Sequence, residues 1–268
     1  MTVQALYTAA TGMNALQSQL DTVANNLANM ETTGFKKSRM NFENLFYQQL
    51  KMPGAEDSTS QRTATGIAIG LGTKVSSTQI NFGQGTLQQT NGPLDIAIQG
   101  TGFFRVKDPS GIYLYTRSGN FSLNADGNMV LGSAQTGRLL DPAIQIPIDA
   151  MNVTISPEGK VTYQQPNSSN YTQAGQMELT TFINPQGLLA SGENLYAETV
   201  ASGSPTQVTP GQQGVGVLQQ NSLEASNVEP VSELINLITT QRAFELNSQV
   251  VQTGNQVMQL VNNLRSTT

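Results

Sequence analysis

The chain contains no histidine, cysteine or tryptophan, and charged residues make up only 12% of its 268 positions. Without His or Cys there can be no Ser-His or Cys-His nucleophile, no imidazole or thiolate metal site and no disulfide. A net charge of −5 leaves no basic face of the kind that displaces counterions from nucleic acid. Nowhere do about 18 apolar residues run together, so no helix is expected to insert into a membrane. The first cationic side chain is Lys36, so a basic n-region followed by an apolar h-region is missing. If the protein leaves the cytoplasm, it is expected to do so without a cleaved signal peptide. No enzymatic activity and no cofactor are expected.

What replaces charge is amide: Asn and Gln together number 51. Such a surface can hydrogen-bond laterally to copies of itself without like-charge repulsion. Leu6, Ala9, Met13, Leu16, Leu20, Val23 and Leu27 recur at alternating spacings of three and four. That heptad seam predicts a helix over about Val3 to Met30 that lies along another helix, with Gly34 as a stop signal. The far end repeats the pattern from about Val228 to Leu264. Leu237, Phe244, Val251 and Met258 form one row, and Ala243, Val250, Val257 and Leu264 another. Ser226 and Asn227 are candidate caps, and Pro230 suits a first turn. Across residues 1–30 the only charged side chain is Asp21. The remaining faces carry Gln4, Thr8, Asn14, Gln17, Ser18, Asn25, Asn26 and Asn29. Uncharged polar faces fit a helix surrounded by other helices or lining a channel. Gly12 and Gly254 sit inside the helices, where either close approach of a neighbour or simple tolerance accounts for them.

Between the helices the period changes to two. Ile67, Ile69 and Leu71 alternate, as do Leu94, Ile96 and Ile98, and turn signals follow at short intervals, among them Asn91-Gly92-Pro93 and Asp108-Pro109-Ser110-Gly111. The predicted fold class is α+β: N- and C-terminal helices paired in a coiled-coil layer, with an inserted antiparallel, mainly-β domain. The helical layer takes residues 1–34 and 224–268, and the β-domain residues 76–199. Residues 35–75 and 200–223 connect them, the second segment being Gly-, Pro- and Gln-rich and read as extended.

Motifs that carry chemistry are weak. Gly66–Lys74 resembles a phosphate loop, but Thr73 separates Gly72 from Lys74 and breaks the Gly-Lys pair. Asn124-Ala-Asp126-Gly127-Asn128 resembles the opening of a calcium loop without its closing acid, and reads as a β-turn. Arg117 and Arg138 read as solvated charges or outward contacts to a partner. Lys36, Lys37 and Arg39 form a basic cluster for which pairing with a neighbour and simple solvation stay equally open.

Several blocks have a family look. They are Ala5 to Met13, then Val23-Ala-Asn25-Asn26-Leu27-Ala-Asn29, then Thr33-Gly34-Phe35-Lys36 and Phe42 to Tyr47. In the middle come Asp95 to Phe104, Tyr115-Thr-Arg-Ser-Gly-Asn-Phe121 and Gly192 to Thr199. Ser226 to Ile238 and Gln241 to Asn247 close the series. In this order, and over nearly the whole chain, they resemble the bacterial flagellar rod and hook family. The segment Leu45 to Ala55, with Tyr47, Gln48, Pro53 and Gly54, resembles an extended arm (about 47–62) typical of the distal stretch of the rod; a hook or proximal rod subunit is the alternative.

The resemblance implies a structural subunit that assembles into a helical homopolymer, a rigid hollow drive shaft with the terminal helices lining a tube and the β-domains outside. It implies export through the flagellar type III apparatus and a basal-body location outside the cytoplasm. The implied partners are proximal rod proteins, the hook protein, the peptidoglycan and outer-membrane ring proteins, and a rod cap.

Overall fold

Helix α1 spans Thr2–Ala28 and α2 spans Pro230–Ser266, close to the lengths the heptads predict. The computed structural model describes residues 2–54, 64–132, 136–166 and 170–266. It divides into a helical unit (Met1–Ala28, Ser38–Gln79, Glu229–Thr268) and a β unit (Asn29–Lys37, Ile80–Val228).

In the helical unit α1 and α2 run antiparallel: a methyl placed on Gly254 would meet Leu6, and one on Gly12 would meet Asn247. The stretch read as a connector is structured. Strands β1 (Ser38–Asn44) and β2 (Tyr47–Lys51) pair with β4 (Thr73–Ile80) and β3 (Ile67–Gly70) respectively, as one long two-stranded ribbon. At the kink the ladder continues, Leu45 N–H donating to the Gly72 carbonyl at 2.8 Å and Leu71 N–H to the Phe46 carbonyl at 3.1 Å. Gly66–Lys74, which resembles a phosphate loop, is the returning half of this ribbon.

The ribbon lies along α1. Asn26 exchanges two hydrogen bonds with the Ser38 backbone (2.8 and 2.9 Å), and Gln4 reaches Gln48 at 3.4 Å. The two lengths match: 22 helical residues at about 1.5 Å and ten strand residues at about 3.3 Å both give roughly 33 Å. Gly72 permits the crossing, because its φ is +119° and a Cβ there would fall 2.2 Å from Thr11 Oγ1.

The β unit contains sixteen strands among the described residues. In chain order they are β5 (Leu87–Gln89), β6 (Ile96–Gln99), β7 (Phe103–Lys107), β8 (Tyr113–Thr116), β9 (Phe121–Leu123), β10 (Met129–Leu131), β11 (Leu139–Asp141), β12 (Met151–Ile155), β13 (Lys160–Gln164) and β14 (Tyr171–Gln176). They continue with β15 (Leu179–Thr181), β16 (Leu189–Gly192), β17 (Leu195–Ala197), β18 (Thr206–Val208), β19 (Val217–Gln220) and β20 (Ser222–Glu224). The main antiparallel sheet runs β16-β17-β8-β7-β11-β10-β9, with β15 pairing both β7 and β18; β12-β13-β14 form a second sheet. The segment expected to be extended, 200–223, instead supplies β18, β19 and β20, which pair with β15, β6 and β5. Its Gly and Pro residues make the turns between short strands.

Adjacent Phe103 and Phe104 point to opposite faces of β7 and found two cores. Phe104 joins Ile96, Ile98, Met129, Leu140 and Leu179 in the larger one. Phe103 joins Tyr115, Phe182, Leu188 and Tyr196; its ring meets those of Phe182 and Tyr196 edge to face, and Tyr115 meets Phe182 likewise. Burial pushes the Tyr115 and Tyr196 hydroxyls up to about 12.

Candidate functional site

On α1, Ala9 and Val23 of the heptad seam are buried, while Leu6, Met13, Leu16, Leu20 and Leu27 are half-buried. On α2 the row Leu237, Phe244 and Val251 is half-buried, and Met258 lies further out at 38% exposure. The row interleaved with it at spacings of three and four is Glu233, Thr240, Asn247 and Gly254, all buried or half-buried. These polar and small residues escaped a search for apolar periodicity. The other apolar row starts half-buried at Ala243 and then turns outward: Val250, Val257 and Leu264 are exposed, and so is Leu246.

The polar side of α1, read as facing other helices or a channel, divides in two. Gln4, Thr8 and Asn26 face the ribbon, whereas Asn14, Gln17 and Asn25 are exposed. Of the arm, Tyr47 and Gln48 lie in β2, Tyr47 against Gly70; Pro53 and Gly54 are exposed, and the rest of the arm, 55–62, falls outside the described residues. Phe46 (88% exposed), Leu50 and Met52 form an uncovered apolar set near its end.

The three family-like blocks around Gly34, Arg117 and Ser226 converge in the β unit. Helix α1 has already ended at Ala28, so Gly34 is no helix stop. With a φ of +71° it sits where a Cβ would be 2.7 Å from the Ser118 nitrogen, and its N–H donates to the Glu224 carbonyl at 2.7 Å. Phe35 is half-buried beside it. Lys36 is fully buried and donates to Glu224 Oε1 at 2.6 Å and to the Gly83 carbonyl at 2.8 Å. Arg117, expected in solvent, is 3% exposed. Its Nε donates to Glu224 Oε2 at 2.9 Å, and its other nitrogens to the Gly100 and Gly102 carbonyls.

Two cations thus share one carboxylate, and the backbone carbonyls supply the remaining acceptors, which is what makes a buried charge cluster tolerable. Burial lowers the Lys36 pKa, and Glu224 opposes that shift. Nothing in the sequence could have joined Glu224 to partners 188 and 107 residues away. Arg138 is likewise engaged, by Asp108 and Glu193.

Asn227, proposed as a helix cap, is used elsewhere. Its Oδ1 accepts from Lys37 N–H at 2.8 Å, and its Nδ2 donates to the carbonyls of Asn81 and Gly83. Asn124 closes the β9–β10 turn by accepting from the N–H groups of Asp126 and Asn128. A cavity of about 520 Å³ lies between Phe82, Phe103, Phe182 and Arg117, but that arginine is already fully committed.

The helical unit thus leaves a row of apolar side chains exposed on α2, and the comparisons with known proteins bear on what such a chain does. Residues 6–36 match the family described as flagella basal body rod protein, 97–163 the flagellar hook protein FlgE/F/G D1 domain, and 219–264 the flagellar basal body rod FlgEFG protein C-terminal region. The flagellar basal-body rod protein FlgG of Caulobacter vibrioides is 44% identical, over 98% of this chain and 100% of its own length. FlgG of Borreliella burgdorferi is 42% identical and that of Bacillus subtilis 35%, each over 98% of this chain and 99% of its own length. The chain belongs to the FlgG family of flagellar basal-body rod proteins. It is a structural subunit of the flagellar distal rod and not an enzyme. Membership places it in the flagellum, with self-assembly and association with other basal-body and hook components.

Proposed function

We propose that copies of the chain stack into a rigid hollow shaft in which α1 and α2 form a coiled-coil layer around a lumen. That shaft transmits torque to the hook and lets exported subunits pass. The observation that carries this reading is the outward row of α2. Leu246, Val250, Val257 and Leu264 are exposed in the single chain, and no charged residue occurs from Leu246 to Leu264. A helix that expected water on this side would carry Glu and Lys pairs. Covering each half-exposed aliphatic side chain against another copy contributes on the order of 1 kcal/mol, repeated in every subunit. Head-to-tail contacts that do not close into a ring continue as a helical filament.

The arm completes the assignment. Phe46 at the kink of the ribbon and Leu50 and Met52 towards its end stand exposed, free to lie on a neighbour and fix the axial spacing of a straight rod. In this reading the protein is exported through the type III apparatus without a cleaved signal and works in the periplasmic part of the basal body. It would meet proximal rod proteins, the hook protein, ring proteins and a rod cap there.

Leu246→Asp tests the outward row. Because Leu246 is 62% exposed, the free chain should keep its stability to within about 0.5 kcal/mol. Polymerisation should fail, because a charge would have to be buried between copies. Rods of normal length seen by electron microscopy from Leu246→Asp protein would sink the tube-lining role.

A further inference from the structure

The chain passes between its two units four times, at 28/29, 37/38, 79/80 and 228/229. Within the β unit, the three stretches leading to those crossings are bonded to one another. Gly34 N–H donates to the Glu224 carbonyl (2.7 Å), Asn81 N–H to the Lys37 carbonyl (2.9 Å), and Ala225 N–H to the Thr86 carbonyl (2.9 Å). Side chains repeat each link: Lys36 to Gly83, Lys36 to Glu224, and Asn227 to Lys37, Asn81 and Gly83. Arg117, which follows β8, ties the Glu224 carboxylate to the main sheet.

We propose that Lys36, Arg117, Glu224 and Asn227 form a mechanical joint. They bind every chain stretch that leaves the β unit into one bundle, so that load reaching the β unit is shared by all four crossings instead of being taken by one strand. The proposal rests on the rod reading above. The division of labour within the joint follows from burial. Glu224 compensates two cations in the interior and is inseparable from folding. Asn227 is only half-buried, and losing its amide removes three links while leaving both cores intact.

Asn227→Ala in the full chain, and in cells carrying it as their only copy, separates joint from fold. Amide exchange at Lys37 should accelerate at least tenfold, while Ile98, Phe104 and Leu140 in the core exchange at the original rate. Cells should swim normally in dilute buffer and lose at least fivefold in speed, relative to the parent, in a viscous medium. Unchanged exchange at Lys37, an equal rise in the core amides, or the same relative speed at both loads would each overturn the joint. The rod reading is tested separately: it fails if cells lacking the chain altogether still build rods and hooks.

Discussion

The two units solve the burial problem differently. In the β unit, Ile96, Ile98, Phe104, Met177 and Leu179 are withdrawn completely from water, and even Lys36, Arg117 and Glu224 lie inside. In the helical unit, among the described residues, the buried apolar side chains are only Ala9, Ala15 and Val23, while Leu234, Ile235, Ile238, Leu246, Leu260 and Val261 remain exposed along α2. One unit is finished within a single chain. The other leaves most of its apolar side chains uncovered in the single chain; in the proposed shaft further copies cover them, which makes its stability depend on protomer concentration.

The largest expected effect is at the finished unit. Glu224→Gln removes the one anion facing two buried cations, and breaking a buried pair in this way costs about 3–5 kcal/mol. Near-ultraviolet circular dichroism, which reports the aromatic cluster around Phe103 and Tyr196, should show its melting temperature fall sharply. Helical signal from α1 and α2 should change less. If both signals collapse together by the same amount, the units are not independent and the comparison fails.

An intermediate effect is expected at the arm, and it is one of shape. Deleting residues 55–64 together with Phe46→Ser, Leu50→Ser and Met52→Ser removes the exposed apolar set and leaves enough chain to join the paired strands β2 and β3. The monomer should keep its stability and still polymerise, since the outward row of α2 is untouched. The polymer should curve or flex in electron micrographs. Straight rods from the deletion protein would take the locking role away from the arm and leave the helices to supply all the rigidity.

How much of this was legible in sequence follows from the range of each interaction. Helices announce themselves through neighbours three and four apart, and α1 lies within two residues of its predicted ends. The apolar row Leu237, Phe244, Val251 was visible for the same reason. Its companion row, Glu233, Thr240, Asn247 and Gly254, was not, because the faces that meet there are polar or small and hydrophobic periodicity is silent about them. The ribbon was read as a connector although Ile67, Ile69 and Leu71 alternate as strand residues do, because its two halves pair only with each other and are far apart in the chain. The buried charge cluster was beyond reach altogether. Lys36, Arg117 and Glu224 each look like an ordinary solvated charge until three distant segments bring them together.

The smallest effect concerns the two glycines inside the helices, for which sequence left close approach and tolerance equally open. The structure separates them. A methyl on Gly12 would lie 3.5 Å from Asn247, an ordinary contact, so Gly12→Ala should gain most of the roughly 1 kcal/mol by which Ala exceeds Gly in a helix. A methyl on Gly254 would lie 2.6 Å from Leu6 Cδ2, so Leu6 must move and give up part of its contact with α2. Gly254→Ala should therefore gain nothing, or lose a few tenths of a kcal/mol. Amide exchange along α1 and α2 in the free chain measures both. If the two substitutions stabilise equally, then α1 and α2 do not hold this close approach in the free chain, and the helix pair takes its final spacing only when further copies cover it. That outcome would sharpen the contrast between the units, because the helical one would then be unfinished even at the contact between its own two helices.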